Sequence, residues 1–389
     1  MKKIIRYGSH YLNSEDIKRV TKSLNSNSIT QGIEIKNYEN LLCKYFGSKY
    51  AVALSSGTAA LHLGIKSFRL KKGLKVITSP ITFIATASSI LMNDLIPEFA
   101  DINSKTYTLD PNFVEDKIKK DKKIRVIIGV DYAGHPCDWK AFKYLKEKYG
   151  LYLINDNCHS MGSKYYGKKD YAIKFADIVT QSYHAVKNIT TGEGGAILTQ
   201  KKKIADYILN QRSHGMIKNS YLKKNKGLWY YNVYDLGYNY RITDFQCALG
   251  SSQLSKLNKF VKKRRLLSNF YNKSFIDYKD LFTIPYVNKK KYFHSFHLYP
   301  LLVNFNKLKI DKKSFFNKML KKGFSLQVHY IPLYKQPFLK KIIDKGKYPF
   351  SEEFYSKEVS LPIYFNLKKQ DQKNLINKIF EILKITNIN

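Results

Sequence analysis

The chain has 389 residues, of which 44% are hydrophobic, and it carries a formal net charge of +38. This length and apolar content suffice for one large core and a second, smaller one, and they exclude a chain that is disordered throughout. Residues 1–7 lack the continuous apolar core of a signal peptide, and no apolar run reaches the roughly 20 residues that span a bilayer. We therefore predict a cytoplasmic protein without a membrane segment.

The cysteines and the basic residues indicate whether the protein binds a metal ion or nucleic acid. Cys43, Cys137, Cys158 and Cys247 are far apart and form no CxxC pair, which is typical of reduced, mostly buried thiols, and no metal site is expected. The basic runs are scattered along the whole chain. Such charge permits attraction to a polyanion, but scattered runs more often belong to a solvated surface. Because the sequence lacks a zinc-finger spacing or an aromatic RNP motif, we expect no specific nucleic-acid partner.

Short apolar runs alternate with helical stretches from about residue 50 onward. Strands are predicted at 50–54, 76–78, 96–100, 125–130, 151–156, 178–183 and 195–199. Helices are predicted between them at 59–68 and 85–92. Nearly continuous apolar strands separated by helices indicate an α/β fold, with a parallel or mixed sheet covered on both faces.

The pattern changes after about residue 255. A predicted helix at 243–265 leads into a segment in which strands and helices alternate less regularly. In that segment we predict strands at 296–303 and 325–331 and helices at 312–321 and 370–383. We interpret the chain as a large α/β domain, residues 1–255 including the N-terminal segment, followed by a smaller α+β domain, residues 256–389.

Polar residues follow the predicted strands at the positions where ligands bind in open α/β sheets. Small residues at 55–58 follow the first strand and open a helix, so the backbone N–H groups of Gly57 and Thr58 can approach a phosphate. The same residue types also cap many helices that bind no ligand. Ser182, at the end of a later strand, offers a further hydroxyl. Together these positions predict a convergent site.

Lys187 and Asp156 suggest a particular chemistry. Lys187 follows an apolar strand and precedes Gly192, Gly194 and Gly195, which permit a tight turn, whereas Asp156 ends an earlier apolar strand. Pyridoxal 5'-phosphate requires such a pair, because a lysine bonds its aldehyde and a carboxylate keeps its pyridine nitrogen protonated. A lysine in a cleft also has its pKa lowered, which favours the free amine.

Phe83 and His159 each allow more than one interpretation. Phe83 is either an ordinary core residue, the simpler reading, or a ring stacked on a flat cofactor. His159 either orients Asp156, contacts the phenolic oxygen of the cofactor, or is an ordinary buried histidine.

Longer motifs, in the same order along nearly the whole chain, resemble the pyridoxal-phosphate nucleotide-sugar aminotransferases of the DegT/DnrJ/StrS group. These motifs are residues 55–63, 77–83, 187–195, 237–246 and 329–332. Within the group, residues 79–83, 133–138 and 187–195 most resemble the 4-aminotransferases of the pseudaminic acid pathway, which act on a UDP-linked 4-keto-6-deoxy N-acetylhexosamine.

The resemblance implies a PLP-dependent transferase of fold type I and a homodimer with active sites at the subunit interface. It also implies L-glutamate and a nucleotide-linked keto-sugar as substrates, with Lys187 and Asp156 as catalytic residues. The cofactor contacts it implies are Gly57, Thr58, Phe83, Asp156, His159, Ser182, Lys187 and, from the other subunit, Asn239. The substrate contacts it implies are His184, Arg241, His329 and Tyr330.

Some neighbours of these positions depart from the pattern of the branch. Asn157, Cys158 and Ser160 flank the histidine where small apolar residues are more usual, and Tyr183 and Ala185 replace the more common Phe and Pro. These departures concern the shape of the sugar pocket and leave the charged and nucleophilic positions intact.

Two alternatives remain open on the sequence. The first is a transaminase that acts at C3 or on another nucleotide-sugar. The second is a cofactor-binding regulator or polyanion-binding protein without catalysis. Lys187 also argues against the dehydration that some relatives perform with a histidine at this position.

Overall fold

The computed structural model describes residues 4–217, 224–343 and 346–385. Its helices are α1 (Ser14–Leu24), α2 (Ile33–Phe46), α3 (Gly57–Lys66), α4 (Ile84–Leu91), α5 (Pro111–Lys120), α6 (Trp139–Tyr149), α7 (Tyr171–Phe175), α8 (Lys202–Arg212), α9 (Asp244–Phe275), α10 (Lys312–Lys321), α11 (Pro349–Lys357) and α12 (Lys369–Leu383). Its strands are β1 (Ile5–Arg6), β2 (Tyr50–Leu54), β3 (Lys75–Thr78), β4 (Ile96–Phe99), β5 (Ile124–Val130), β6 (Tyr152–Asp156), β7 (Lys164–Tyr165), β8 (Ile178–Ser182), β9 (Gly195–Thr199), β10 (Met216–Ile217), β11 (Asn232–Val233), β12 (Phe282–Thr283), β13 (Tyr292–Phe293), β14 (Tyr299–Val303), β15 (Phe324–Ser325) and β16 (Glu358–Leu361).

Seven strands form one central sheet in the order β2-β9-β8-β6-β5-β3-β4. The pairs β8–β6, β6–β5, β5–β3 and β3–β4 are parallel, whereas β9 runs antiparallel to both of its neighbours. Successive side chains of β5 pack on opposite faces. Ile127 lies in an apolar cluster with Trp139 and Phe142, and Val126 and Ile128 lie in the cluster under α3. The predicted mixed sheet, covered on both faces, is confirmed.

A second apolar core lies beside the three-stranded sheet β12-β14-β16. The long helix α9 passes through residue 255 and contributes Leu267, Tyr271 and Phe275 to this core. Strand β1 pairs in parallel with β15, so the N-terminal segment joins the C-terminal part of the chain. Because α9 is continuous across the predicted boundary, a division at residue 255 remains a prediction. None of the helices in the described ranges is both long and apolar enough to cross a bilayer.

The strand predicted at 296–303 begins only at Tyr299. Phe296 has a positive φ of 52°, which a regular strand does not accommodate. The backbone N–H groups of Ser295 and Leu298 donate to the loop that follows β5 instead of to a strand. This stretch therefore connects the two parts of the chain.

The strand predicted at 325–331 is wrong beyond Ser325. The apolar alternation there resembles a strand, but the backbone leaves the β1–β15 pair after two residues. The Gln327 carbonyl accepts from Ser360, and the His329 N–H donates to the Glu358 side chain. These bonds to β16 direct residues 327–331 toward the cavity described below.

All four cysteines are unpaired. Cys137 and Cys247 are buried, and Cys43 and Cys158 are partly buried. Cys158 also lines the cavity described below, a position that the spacing of the cysteines does not indicate.

Asp131, in the loop after β5, is fully buried and accepts four hydrogen bonds. Its Oδ1 accepts from the Cys137 backbone N–H at 2.7 Å and from Trp139 Nε1 at 2.9 Å. Its Oδ2 accepts from Asn157 Nδ2 at 2.8 Å and from the Tyr171 hydroxyl at 2.7 Å. Since Asn157 directly follows the last residue of β6, this network fixes the end of that strand.

We expect Asp131→Ala to lower the free energy of unfolding by about 3 kcal/mol or more, because four buried donors lose their acceptor. Asp206→Ala is the matched control, because Asp206 pairs with Lys202 on the surface of α8 and such exposed pairs contribute little to stability. Urea unfolding of both variants measures the difference. Equal midpoints for the two variants would show that the Asp131 network does not stabilise the fold.

Candidate active site

The carboxyl ends of β2, β3, β5, β6 and β8 meet at one cavity of about 620 Å³. The predicted site residues that line it are Gly57, Thr58, Phe83, Asp156, His159, Ser182, His184, Lys187, His329 and Tyr330. Residues 327–331 also line it. Eight of these ten residues end or follow strands of the sheet and meet because parallel strands end at the same edge, whereas His329 and Tyr330 belong to residues 327–331.

Asp156 is the last residue of β6, and its side chain is buried at the cavity wall. Its Oδ2 accepts from Thr86 Oγ1 at 3.1 Å, and its Oδ1 accepts from the Cys158 backbone N–H at 3.3 Å. Thr86 in turn lies 3.0 Å from the Thr82 hydroxyl. Two donors thus fix the orientation of this carboxylate before any ligand is present.

Lys187 lies in a turn between β8 and β9 that is held by its own hydrogen bonds. Thr190 Oγ1 donates to the Tyr183 carbonyl at 3.0 Å, and Gly192 reverses the chain with a φ of 80°. Within the described ranges, the Lys187 amine makes no hydrogen bond or ion pair. Burial lowers the pKa of Lys187, and the neighbouring Cys158 and Asp156 oppose that shift. The lowered pKa favours the neutral amine, which is the form that bonds an aldehyde and accepts a proton.

The start of α3 forms a cradle of small residues against the end of β8. Ser56 caps the helix by accepting from the Ala59 N–H at 3.1 Å. A Cβ atom at Gly57 would lie 2.8 Å from Ser182 Cβ, closer than real contacts allow. Glycine is therefore needed for this approach, which leaves free backbone N–H groups and hydroxyls at a helix N-terminus, where a phosphate binds well.

Phe83 is 56% exposed, so it is not a core residue. It immediately precedes α4, and its ring lies 6.0 Å from that of Tyr330 across the cavity. An exposed aromatic ring at the wall of a cavity is suited to stacking on a flat ligand. The exposure excludes the ordinary core position, and stacking on a cofactor stays a prediction.

His159 is held by groups other than Asp156. Its Nδ1 accepts from the Ala133 backbone N–H at 3.3 Å, and its Nε2 lies 3.1 Å from the Tyr330 hydroxyl. Because Nδ1 must be unprotonated to accept, the neutral ring carries its proton on Nε2 and donates to Tyr330. Burial, reinforced by Lys187, holds the pKa of His159 well below its usual range. The Tyr330 hydroxyl therefore remains able to donate to a ligand.

Several lining residues escaped the sequence analysis. Thr86 follows Thr82 by four residues, and this spacing could have predicted the contact between their hydroxyls. Cys158 lies beside Asp156, where burial raises the pKa of its thiol well above the usual value, so the thiol is neutral. Tyr7 and His297 also line the cavity, but nothing in their local sequence indicates that they approach it.

Asn239 and Arg241 lie outside this cavity in the single chain. Asn239 is exposed, and Arg241 lines a separate cavity together with Glu39 and Arg212. His184 is at the cavity but exposed, with its Nε2 3.8 Å from Glu193 Oε1. One chain therefore supplies most, but not all, of the predicted contacts.

The arrangement fits pyridoxal 5'-phosphate in three separate respects. A preoriented carboxylate, Asp156, can hold the pyridine nitrogen, and an unpartnered amine, Lys187, can bond the aldehyde. The cradle at Gly57, which a Cβ atom would obstruct, can take the phosphate.

Comparison with known proteins agrees with this geometry. The chain matches the model of the DegT/DnrJ/EryC1/StrS aminotransferase family over residues 10–380. It is 36% identical over 386 residues to the UDP-4-amino-4,6-dideoxy-N-acetyl-beta-L-altrosamine transaminase of Campylobacter jejuni, covering 98% of each chain. It is 31% identical over 383 residues to the spore coat polysaccharide biosynthesis protein SpsC of Bacillus subtilis, covering 97% of each. The structure of PseC from Helicobacter pylori, an aminotransferase involved in the biosynthesis of pseudoaminic acid, has a TM-score of 0.91 and 31% identity, covering 99% of this chain and 100% of that one.

The fold and the site define a pyridoxal-phosphate-dependent aminotransferase of fold type I. The match extends over most of the sequence, and the chain belongs to the DegT/DnrJ/EryC1/StrS aminotransferase family. The family, the enzyme class and the cofactor predicted from the sequence are thus confirmed.

We expect Gly57→Ala to weaken binding of pyridoxal phosphate by about tenfold or more, because the added methyl group displaces Ser182 and shields the helix N-terminus. Gly64→Ala is the matched control in the same helix, where a Cβ atom makes an ordinary 3.4 Å contact with Ile178. Titration of the apoenzyme with the cofactor, followed by absorbance, gives both dissociation constants. Unchanged affinity in Gly57→Ala would place the phosphate elsewhere.

Proposed function

We propose that this enzyme transfers an amino group from L-glutamate to C4 of a nucleotide-linked keto-sugar. The substrate is UDP-2-acetamido-2,6-dideoxy-hexos-4-ulose, and the product is its 4-amino sugar. Such a product serves nonulosonic acid biosynthesis of the pseudaminic type, or the synthesis of another surface polysaccharide. The proposal rests on one observation above all: Lys187 and Asp156 line the same cavity of a chain that matches UDP-amino-sugar transaminases from end to end.

Lys187 has the central role in this proposal. When bound, pyridoxal phosphate supplies an electron-accepting ring that stabilises the negative charge left when a proton leaves the neighbouring carbon. Lys187 Nζ accepts the proton from the α-carbon of the amino donor and later returns a proton to the sugar carbon, as general base and then acid. Burial lowers the pKa of Lys187 and so favours the neutral amine, which is the form that acts as the base.

The remaining residues hold the reacting groups in place. Asp156, oriented by Thr86 and the Cys158 N–H, holds a proton at the pyridine nitrogen. Gly57, Thr58 and Ser182 bind the phosphate.

Other side chains shape the space around the sugar. Phe83 packs on the ring of the cofactor, while His159 orients Tyr330. His329, Tyr330 and His184 face the sugar nucleotide.

We further propose that the enzyme is a homodimer and that Asn239 completes the phosphate site of the partner. Asn239 and Arg241 lie outside the cavity of their own chain, at the end of a segment rich in exposed apolar side chains. In that segment Leu228, Trp229, Tyr234 and Leu236 are 81%, 79%, 73% and 72% exposed. A patch of this kind is typical of a surface that a partner covers.

We expect Lys187→Ala to abolish turnover and the visible absorbance band of the bound cofactor, while the circular dichroism spectrum is unchanged. The reason is that no other lysine lines the cavity within the described ranges. Lys203→Ala, on the exposed side of α8, is the control and should retain both. Turnover is measured with L-glutamate and the UDP-linked 4-keto sugar. NMR of the product locates the new amine, and an amine at C3 would contradict the proposed regiochemistry.

The dimer is tested by mixing two inactive variants, Lys187→Ala and Asn239→Ala. If Asn239 acts in the partner's site, half of the randomly mixed dimers are hybrids with one intact site, so about a quarter of wild-type activity returns. If Asn239 acts in its own chain, every site carries a defect and no activity returns. Activity after unfolding and refolding the mixture distinguishes the two outcomes.

A further inference from the structure

Three buried side chains form a hydrogen-bonded chain behind the wall of the cavity. Ser360 Oγ donates to Glu358 Oε1 at 2.6 Å, and His329 Nδ1 lies 2.8 Å from the same hydroxyl. The backbone N–H of His329 donates to the other carboxylate oxygen, Glu358 Oε2, at 3.0 Å. Glu358 and Ser360 belong to β16 and are fully buried, whereas His329 lines the cavity. These hydrogen bonds therefore connect the interior of the C-terminal part of the protein to the active site.

While Glu358 is ionised, the direction of each hydrogen bond among Glu358, Ser360 and His329 follows from the number of protons that these groups carry. A serine hydroxyl has one proton, and Ser360 gives it to the Glu358 carboxylate. His329 Nδ1 must then donate to Ser360. Burial lowers the pKa of His329 to about 3, so the ring is neutral and carries a single proton. That proton is on Nδ1, which leaves Nε2 as an acceptor, and among the described residues nothing donates to Nε2.

The neighbouring Tyr330 hydroxyl offers a ligand a donor, whereas His329 Nε2 offers an acceptor. Tyr330 receives a hydrogen bond from His159 and so keeps its own proton free to donate. Residues 329 and 330 therefore offer a ligand one acceptor and one donor, each fixed by a different buried partner. A nucleotide-sugar, with its hydroxyl and amide groups, carries the matching groups.

We propose that Glu358 and Ser360 are positioning residues that hold His329 in the tautomer protonated at Nδ1, so that Nε2 accepts a hydrogen bond from an N–H or O–H group of the sugar nucleotide. The inference rests on the proposed function for the identity of that substrate. The amino donor in the first half-reaction has no need of this acceptor.

Protonation of Glu358 would reverse the direction of the hydrogen bonds among Glu358, Ser360 and His329. Burial raises the pKa of Glu358 to about 7, and the nearby Lys312 of α10 opposes that shift. The other titratable groups that face Glu358 are Tyr132, Tyr330 and His329. Below this pKa the carboxyl carries a proton and can donate to Ser360, which then donates to Nδ1 and leaves a proton on Nε2.

The variant Glu358→Gln tests the proposal at nearly constant shape. The His329 backbone N–H still needs an acceptor, so the amide oxygen occupies the Oε2 position and the NH2 group faces Ser360. The hydrogen bonds then run in the opposite direction, and Nε2 becomes a donor. Ser360→Ala breaks the chain without changing a charge, and Ser360→Thr keeps the hydroxyl and should restore wild-type behaviour.

Two measurements decide the proposal. In ¹⁵N spectra of histidine-labelled enzyme at pH 8, His329, assigned with His329→Gln, should carry its proton on Nδ1 in wild type and on Nε2 in Glu358→Gln. In single-turnover reactions, kcat/KM for the UDP-linked keto-sugar should fall about tenfold to a hundredfold in Glu358→Gln. The half-reaction with L-glutamate should stay within about twofold of wild type.

The pH dependence adds an independent check. In wild type, kcat/KM for the sugar should fall as the pH drops through about 7, because protonated Glu358 reverses the chain. Glu358→Gln should lack this step. Nε2 protonation in wild type at pH 8, or an equal loss in both half-reactions, would overturn the proposal. If the wild-type enzyme itself did not react with L-glutamate, that result would instead count against the proposed function.

Discussion

The parallel pairing of β3, β5, β6 and β8 is the constraint on which the site depends. Parallel strands all end at one edge of a sheet, so the residues that follow them converge although they are distant in sequence. Asp156 ends β6, Ser182 ends β8, and Phe83 follows β3 by a short turn. The Asp131 network then fixes the loop after β5 to the residue after Asp156. A change in strand order would separate the carboxylate from the lysine.

Burial at this edge determines the protonation states on which the chemistry depends. Removal from water disfavours charge, so it lowers the pKa of Lys187, His159 and His329 and raises that of Cys158. A neutral histidine carries its proton on one of two ring nitrogens, and the hydrogen bond to its buried partner determines which one. The protein thereby sets donors and acceptors in the cavity with neutral histidine rings.

The errors in the predicted strands have a common physical cause. Periodicity reports which residues are apolar, but it does not report which backbone groups pair with each other. Residues 325–331 have the pattern of a strand, yet bonds to β16 take them to the cavity wall. At Phe83 the sequence left a core position and a stacked ring open, and the structure shows that the residue is exposed. In residues 325–331 a tertiary contact overrides a local preference.

The sequence by itself determined the alternating α/β framework, the turn that carries Lys187 and the carboxylate at the end of β6, because these depend on local spacing and on apolar runs. Long motifs in a fixed order also determined the family. Only the tertiary structure decided which way Phe83 points, that Thr86 supports Asp156, and that Asn239 lies outside the cavity of its own chain. It also decided which groups His329 contacts, because Glu358 and Ser360 lie some 30 residues away from it in sequence and meet it only through packing.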